Sequence, residues 1–406
     1  MGKRRPPTTS DGYRAVSAVL FLSLFAAQAG AITLSPVLPE VSRDLGVSTA
    51  AAGQLRTVAG LIAGVTALAL GRLSTRFGLG RQLLAGSTLL ALGSLLSAAA
   101  PGIGLLALAQ APVGAGIGIL TTASALAAGE WVPRQQQPAV LSRALTGQPW
   151  AWIVGMPLLG FAGEASWRYA WLSFPLAAAA LAAAAVGGRR DAPPVEAPPA
   201  HLREALAVAE VRRWLTAEML ANTAWAGTLV YAGALFFDSY GTSAAATGVL
   251  LAIGAGASVS GNVVLRRLAG GEPRRCLVGL ALALAVVTTT FDAFRPSLAA
   301  STALFAVAAF AAAGRTLLSG AFGLSLPPAV RPAAMSMRAA SLQFGYFTGS
   351  LAAGAALALG GDAACGATTG ALFAAAALAL MRRRASAEQD GREPTAYPGR
   401  ALGNAA

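Results

Sequence analysis

The chain has 406 residues, of which 55% are hydrophobic and only 12% charged, with a mean hydropathy of +0.61. A soluble domain carries about 25% charged residues, so this chain cannot cover its own surface with polar groups, and lipid must solvate most of it. The net charge of +13 would suggest nucleic acid in a soluble protein, but in so apolar a chain it reads as cations anchoring loops at the cytoplasmic face of a membrane.

The apolar runs are unbroken and about twice the roughly ten residues of a transmembrane barrel strand, so they predict helices across a core about 30 Å thick. Cys276 and Cys365 are isolated and give no disulfide framework. His201 is the single histidine and falls in a polar stretch, which leaves no basis for a His-based metal site or triad. No Gly-x-x-x-x-Gly-Lys-Ser/Thr loop is present, so ATP drive from this chain is excluded and no cofactor or metal is expected.

In chain order, residues 1–12 form a charged tail, "MGKRRPPTTSDGYR" opening the sequence, and the apolar stretch that follows is too long for a signal peptide. Six spans are predicted at 13–37, 50–70, 81–99, 103–128, 140–162 and 168–187, making an N-terminal bundle over 13–187. A polar interruption at 188–212 begins Pro-rich as a linker and continues as an amphipathic surface helix. Six more spans follow at 213–236, 244–265, 276–293, 299–324, 334–358 and 363–381, a C-terminal bundle over 213–384, and 385–406 reads as a disordered cytoplasmic tail. With the N-terminus inside, twenty-five of the thirty cations fall in cytoplasmic segments, two of them assigned to the 10–11 connection, and three fall outside: Arg43, Arg168 and Arg295. Arg56 and Arg315 remain within spans. Only an even number of spans preserves that alternation. Nearly every cation is Arg, Lys3 being the one lysine, which fits a GC-rich bacterial genome and a bacterial inner membrane with both termini cytoplasmic.

The two bundles look duplicated. "VPRQQQPAVLSRALTGQPWAWIVGMPLLG" aligns without gaps to "LPPAVRPAAMSMRAASLQFGYFTGSLAAG" at an offset of 194, with Pro133, Pro138, Ala139, Ser142, Gly155 and Gly160 recurring as Pro327, Pro332, Ala333, Ser336, Gly349 and Gly354. Two six-span halves related by an axis along the membrane normal are a known transporter arrangement. The fold class is therefore an all-α membrane protein of twelve transmembrane helices in two pseudo-symmetric six-helix bundles.

After the second span comes "GRLSTRFGLGRQL", a tight basic turn in which Gly71 allows close helix approach, Gly78 allows turn dihedrals, and Arg72, Arg76 and Arg81 sit at headgroups. It resembles the helix 2–3 signature of the major facilitator superfamily, Gly-x-Leu-x-Asp-Arg-x-Gly-Arg-Lys/Arg, through Gly71, Leu73, Arg76, Gly78 and a displaced Arg81. Thr75 replaces the signature's Asp, so the family's cytoplasmic charge network would take another form, with Glu130 at the end of "AAGEWVPRQ" as a partner for Arg76 or Arg81. "LLALAQAPVGAGIGIL" resembles the family's fourth helix through Gly114 and Gly116, with Gln110 in the place of its Arg. "GQPWAWIVGMPLLG" resembles the Gly-x-Pro kink of the drug/proton antiporter and arabinose-efflux-like branches through Gly155, Pro157 and Gly160; proline there removes a hydrogen bond and bends the helix.

The resemblance implies that helices 1, 4, 7 and 10 line a central cavity. Arg315, about mid-depth on helix 10, must then face water and a polar substrate group or pair with an acid; Glu218 on helix 7 is the candidate partner and proton carrier, since coupling needs a carboxylate that can change protonation. Gln28, Gln110, Asn222, Trp225, Trp150, Trp152, Gln343 and Tyr346 are candidates for substrate contact, and Arg56 is expected to bridge Asp238, Asp292 or Asp362 when the outer mouth closes. The gating candidates are Gly71, Arg72, Arg76, Gly78, Arg81, Glu130, Arg56, Gly155, Pro157 and Gly160. The expected activity is secondary transport by alternating access, as a monomer: proton-coupled efflux of a small hydrophobic or amphiphilic compound, with uptake of a small organic anion or a non-transporting receptor or scaffold as the rival readings.

Overall fold

The structure, a computed structural model, describes residues 10–73, 78–133, 135–187, 202–267, 272–327 and 329–381, and among them every regular element is helical. Among the described residues, ten helices are long and apolar enough to cross a membrane. They are α1 (Gly12–Asp44), α2 (Thr49–Leu70), α3 (Leu79–Ala99), α4 (Ile103–Glu130), α6 (Trp167–Val186), α7 (Ala209–Tyr240), α8 (Ala244–Leu265), α9 (Pro273–Ala293), α10 (Leu298–Ser325) and the segment Ala333–Met381. That last segment is two rods, α11 (331–359) and α12 (362–381), because Gly360 and Gly361 leave helical dihedrals, Gly361 with φ of +67°, a conformation that glycine adopts without steric cost. The two-piece α5 (Gln137–Leu145 and Gly147–Ala165) completes twelve.

Proline explains two of the interruptions. α1 breaks after Ile32, whose carbonyl Pro36 cannot bond, and α5 breaks after Leu145, whose carbonyl Pro149 cannot bond. The helices also outrun the predicted spans. α1 continues to Asp44, and α7 begins at Ala209, so Arg212 and Arg213 belong to it and the expected surface helix shrinks to Leu202–Ala207. Hydropathy marks only the apolar middle of a rod, whereas helical hydrogen bonding continues into the polar interface. The tail 1–9, the linker 188–201 and the tail 382–406 lie outside the described residues.

The duplication is visible in the helix ends. Leu79–Ala99 recurs as Pro273–Ala293, both ends 194 residues on, and the helices starting at Gln137 and Arg331 are spaced alike. Large apolar side chains such as Leu108, Phe161, Val286 and Leu359 point outward and stay exposed, as lipid contact requires. Polar groups are turned inward and satisfied locally: Ser23, Ser87, Ser94 and Thr288 each donate to the carbonyl four residues back.

Twelve crossings place the start of α1 and the end of α12 at one face, termed the terminal face; the opposite one is the distal face. The halves α1–α6 and α7–α12 meet chiefly along two seams, α2 on α11 and α5 on α8, and the distal end of α1 also packs on α7, where a methyl on Gly233 would stand 2.1 Å from the Ser35 carbonyl oxygen. In the second seam backbone lies on backbone: a methyl on Gly160 would stand 2.3 Å from the Ala244 carbonyl oxygen, and one on Gly248 2.3 Å from that of Met156. In the first, Gly60 lies against the Phe347 backbone. Toward the distal face Gln54 Nε2 donates to the Ser350 carbonyl (3.0 Å) and to the Tyr231 hydroxyl (3.4 Å), while Tyr231 donates to the Ala50 carbonyl (3.2 Å).

Candidate functional site: a mid-depth cavity and its arginines

Between the halves, at mid-depth, the helices enclose about 230 Å³ of open space. The cavity is lined by Gln28 of α1, Thr121 of α4, Gln148 and Trp152 of α5, Asn222 and Trp225 of α7, Ser258 and Asn262 of α8, Phe305 and Thr316 of α10, and Gln343 and Tyr346 of α11, with alanines filling the gaps. The wall therefore extends beyond helices 1, 4, 7 and 10 to α5, α8 and α11. Its chemistry is amide and aromatic: Trp225 stacks on Phe305 at 6.4 Å, and no Asp, Glu, Lys or Arg is among the lining residues. Such a surface fits a body with apolar faces and a few hydrogen-bonding groups.

Directly beneath the cavity, on its terminal side, the C-terminal half buries a charged cluster. The Glu218 carboxylate takes Nη1 of Arg315 on one oxygen and Nε of Arg338 (3.1 Å) on the other. Arg315 also donates to the Asn222 side-chain oxygen (3.0 Å), and Asn222 in turn donates to Ser341 Oγ (3.0 Å). Arg338 reaches the Thr316 carbonyl (2.7 Å). Two cationic forks on one carboxylate satisfy its lone pairs, which makes a buried ion pair tolerable in an apolar setting. Arg315 Nε is left buried without a partner. Two hydrogen bonds connect Glu218 to the cavity wall, through Arg315 to Asn222.

The structure brings together Gln28, Asn222, Trp225, Trp152, Gln343 and Tyr346 around one space, and it corrects four other expectations. Arg315 does not line the cavity; it lies below, paired with Glu218, because Asn222 and Thr316 stand between. Gln110 is buried between α3 and α4, donating to Ser97 Oγ (3.1 Å). Trp150 is 52% exposed on the outer surface, since two residues along a helix turn a side chain by about 200° and Trp152 holds the inward direction. Arg56 meets no aspartate; its guanidinium lies 4.3 Å from the centre of the Tyr346 ring across the α2–α11 seam. Of the three expected aspartates, Asp362 pairs instead with Arg295; elsewhere at the distal face Asp44 accepts from Trp167 Nε1 and Arg168 Nη1, each at 2.8 Å.

Among the gating candidates, Gly155 packs on Phe174, where a methyl would stand 2.3 Å from the ring, Pro157 is inside α5, and Gly160 is part of the seam with α8. Glu130 ends α4 and is exposed, Gly71 and Arg72 are in the last turn of the helix Leu55–Leu73, and Gly78 and Arg81 open α3. Arg76 lies outside the described residues, so the expected partnership with Glu130 has no geometry to report.

Sequence reasoning missed Arg338, which was counted with the 10–11 connection although it falls inside the span 334–358. It also missed Gln148 and Asn262. Each is a lone amide in an apolar run, the same signal that singled out Gln28.

The sequence profile described as Major Facilitator Superfamily matches residues 20–291. No curated protein matches the chain. Among solved structures, the chain is similar to a bacterial homolog of the human lysosomal transporter Spinster in an inward-facing, unoccupied conformation, with a TM-score of 0.73 and 14% identity over 92% of this chain and 94% of that one. It is similar to a D-xylose–proton symporter with a TM-score of 0.73 and 18% identity, covering 91% of this chain and 97% of that one. The nucleoside transporter NupG, solved as a point mutant, gives a TM-score of 0.71 and 13% identity, covering 91% of this chain and 97% of that one.

Proposed function

Because the chain belongs to the major facilitator superfamily and is a membrane transporter rather than an enzyme, we propose that it is a secondary transporter exporting a small amphiphilic compound in exchange for protons. Alternating access is the mechanism: the halves rock about the mid-depth cavity, exposing it to one face and then to the other. The terminal face is the cytoplasmic one, in keeping with the cation distribution. The chain acts as a monomer in a bacterial inner membrane.

The observation that carries this reading is the placement of Glu218. It is buried, held by Arg315 and Arg338, and linked to the cavity through Asn222. Protonating that carboxylate removes the anion both guanidinium groups share, so Arg315 leans on its other acceptor, the Asn222 side-chain oxygen, and withholds it from the substrate. The reverse also holds: a substrate that engages the Asn222 side-chain oxygen takes that acceptor from Arg315, which is left with the Glu218 carboxylate as its partner and so favours proton loss. Reciprocal coupling of this kind is what exchange requires. Trp152, Trp225, Phe305 and Tyr346 supply the apolar contact area, and the lining amides Gln28, Gln148, Asn222, Asn262 and Gln343 supply orientation.

The test uses inverted membrane vesicles carrying the protein and an amphiphilic fluorescent compound that it moves. Uptake into the vesicles is expected to collapse when a protonophore is added. Glu218→Gln is expected to abolish gradient-driven movement while leaving compound-for-compound exchange intact. Unchanged gradient-driven transport in that variant would refute proton coupling through Glu218.

A further inference from the structure

Two arginines are buried among the described residues, Arg315 and Arg56. Arg315 has Glu218. Arg56, 5% exposed on α2, has no carboxylate partner among the described residues: its contact is Tyr346, over whose ring it lies, and Tyr346 lines the cavity. A desolvated guanidinium costs far more than one cation–π contact returns. The wider charge inventory runs the same way. Around the cavity stand Arg56, Arg315 and Arg338 against Glu218, an excess of two positive charges, and the lining itself holds no acid.

We infer that the transported compound is an organic anion whose acidic group is received by Arg56, with its apolar body lying between Trp152 and Trp225. This rests on the cavity being the transport site. Arg56 is the available receptor because the hydrogen-bonding edge of its guanidinium is not committed to a carboxylate, whereas Arg315 and Arg338 both serve Glu218. A planar fork suits a carboxylate, sulfonate or phosphate oxygen pair. Tyr346 is the gatepost: the guanidinium lies over its ring, and it lines the cavity from which the anion arrives.

The test measures quenching of tryptophan fluorescence in the detergent-purified full chain by three probes of one shape: 1-naphthoate, the neutral 1-naphthamide and cationic 1-naphthylmethylammonium. Naphthoate is expected to bind at least about tenfold more tightly than the amide, the scale of a charge-assisted hydrogen bond. Arg56→Gln is expected to erase that preference while leaving amide binding unchanged, and Arg56→Lys to restore part of it. The inference is overturned if the anion has no advantage over the amide, whether both bind or neither does. It is also overturned if Arg56→Gln weakens both probes equally, which would make Arg56 a structural tie only. The transport reading is checked separately by thiol labelling of Gln28→Cys from each face. Labelling from one face under every condition would sink that reading, whatever the naphthoate result.

Discussion

A single carboxylate serving two guanidinium groups sets what substitutions in the charged cluster should do. Removing one member of a buried pair leaves an uncompensated charge, at a cost of about 3 kcal/mol or more. Glu218→Gln should therefore lower the melting temperature of the purified protein, since both guanidinium groups lose their anion, and adding Arg315→Met should recover part of the loss, because one of the two stranded cations is then gone. If the double variant is no more stable than the single one, the two side chains do not act as a pair. Arg338→Met should cost less than Arg315→Met, since its side chain is 20% exposed against 5% for Arg315 and water can replace part of the interaction. At this scale the sequence was a good guide to depth and a poor one to direction. An isolated charge or amide in an apolar run announces itself, which is why Arg315, Glu218, Asn222 and Gln28 could be picked out. In helices built mostly of Ala, Leu and Gly, however, no polar stripe tells which side faces inward. Trp150 and Trp152 therefore looked equivalent until the fold separated them.

The elements carry their own test, because glycines in the α5–α8 seam hold two backbones in contact. Gly160→Val or Gly248→Val would place a side chain 2.3 Å from a facing carbonyl oxygen, so the helices must separate. Transport is expected to fall at least about tenfold, since misplacement on this scale disrupts a coupled motion, while the protein still reaches the membrane. Gly104→Ala and Gly256→Ala, which meet nothing within 4 Å, are the controls and should transport normally. Equal loss in seam and control positions would show that general helix destabilisation is responsible. Span count and approximate limits were legible, because twenty apolar residues have few alternatives to a membrane helix. The ends were not: α1 and α7 run past their apolar stretches, and helix propensity in their Ala- and Leu-rich flanks continues where hydropathy stops. Arg338 suffered from this same blurring of ends, since a cation near a helix start reads as a loop residue when only charge is counted.

For the whole molecule the prediction concerns the distribution between two states. Gln54, Tyr231, Ala50 and Ser350 tie the halves at the distal face. Tyr231→Phe removes a hydrogen bond worth about 1 kcal/mol, enough to shift a two-state equilibrium roughly fivefold. In a background lacking Cys276 and Cys365, a cysteine replacing Asn222 should then label faster from the distal face and more slowly from the terminal face. A rise at both faces would indicate loosening rather than a shift. The repeat was legible at the outset from a 29-residue alignment, and the helix ends bear it out with spacings of 194 residues. The asymmetry within the repeat was not legible, since it arises from what each copy touches.

Gly160 and Gly354 are equivalent positions, 194 residues apart, yet their surroundings differ. Gly160 slides along the bare backbone of α8, whereas a methyl on Gly354 would strike Gln54 Nε2 and the Tyr231 hydroxyl. One junction is thus a greased bearing and its twin a catch. Under the alternating-access reading, such a pair of junctions is expected to part unevenly, with α5 and α8 staying engaged while the catch between α2 and α11 lets go.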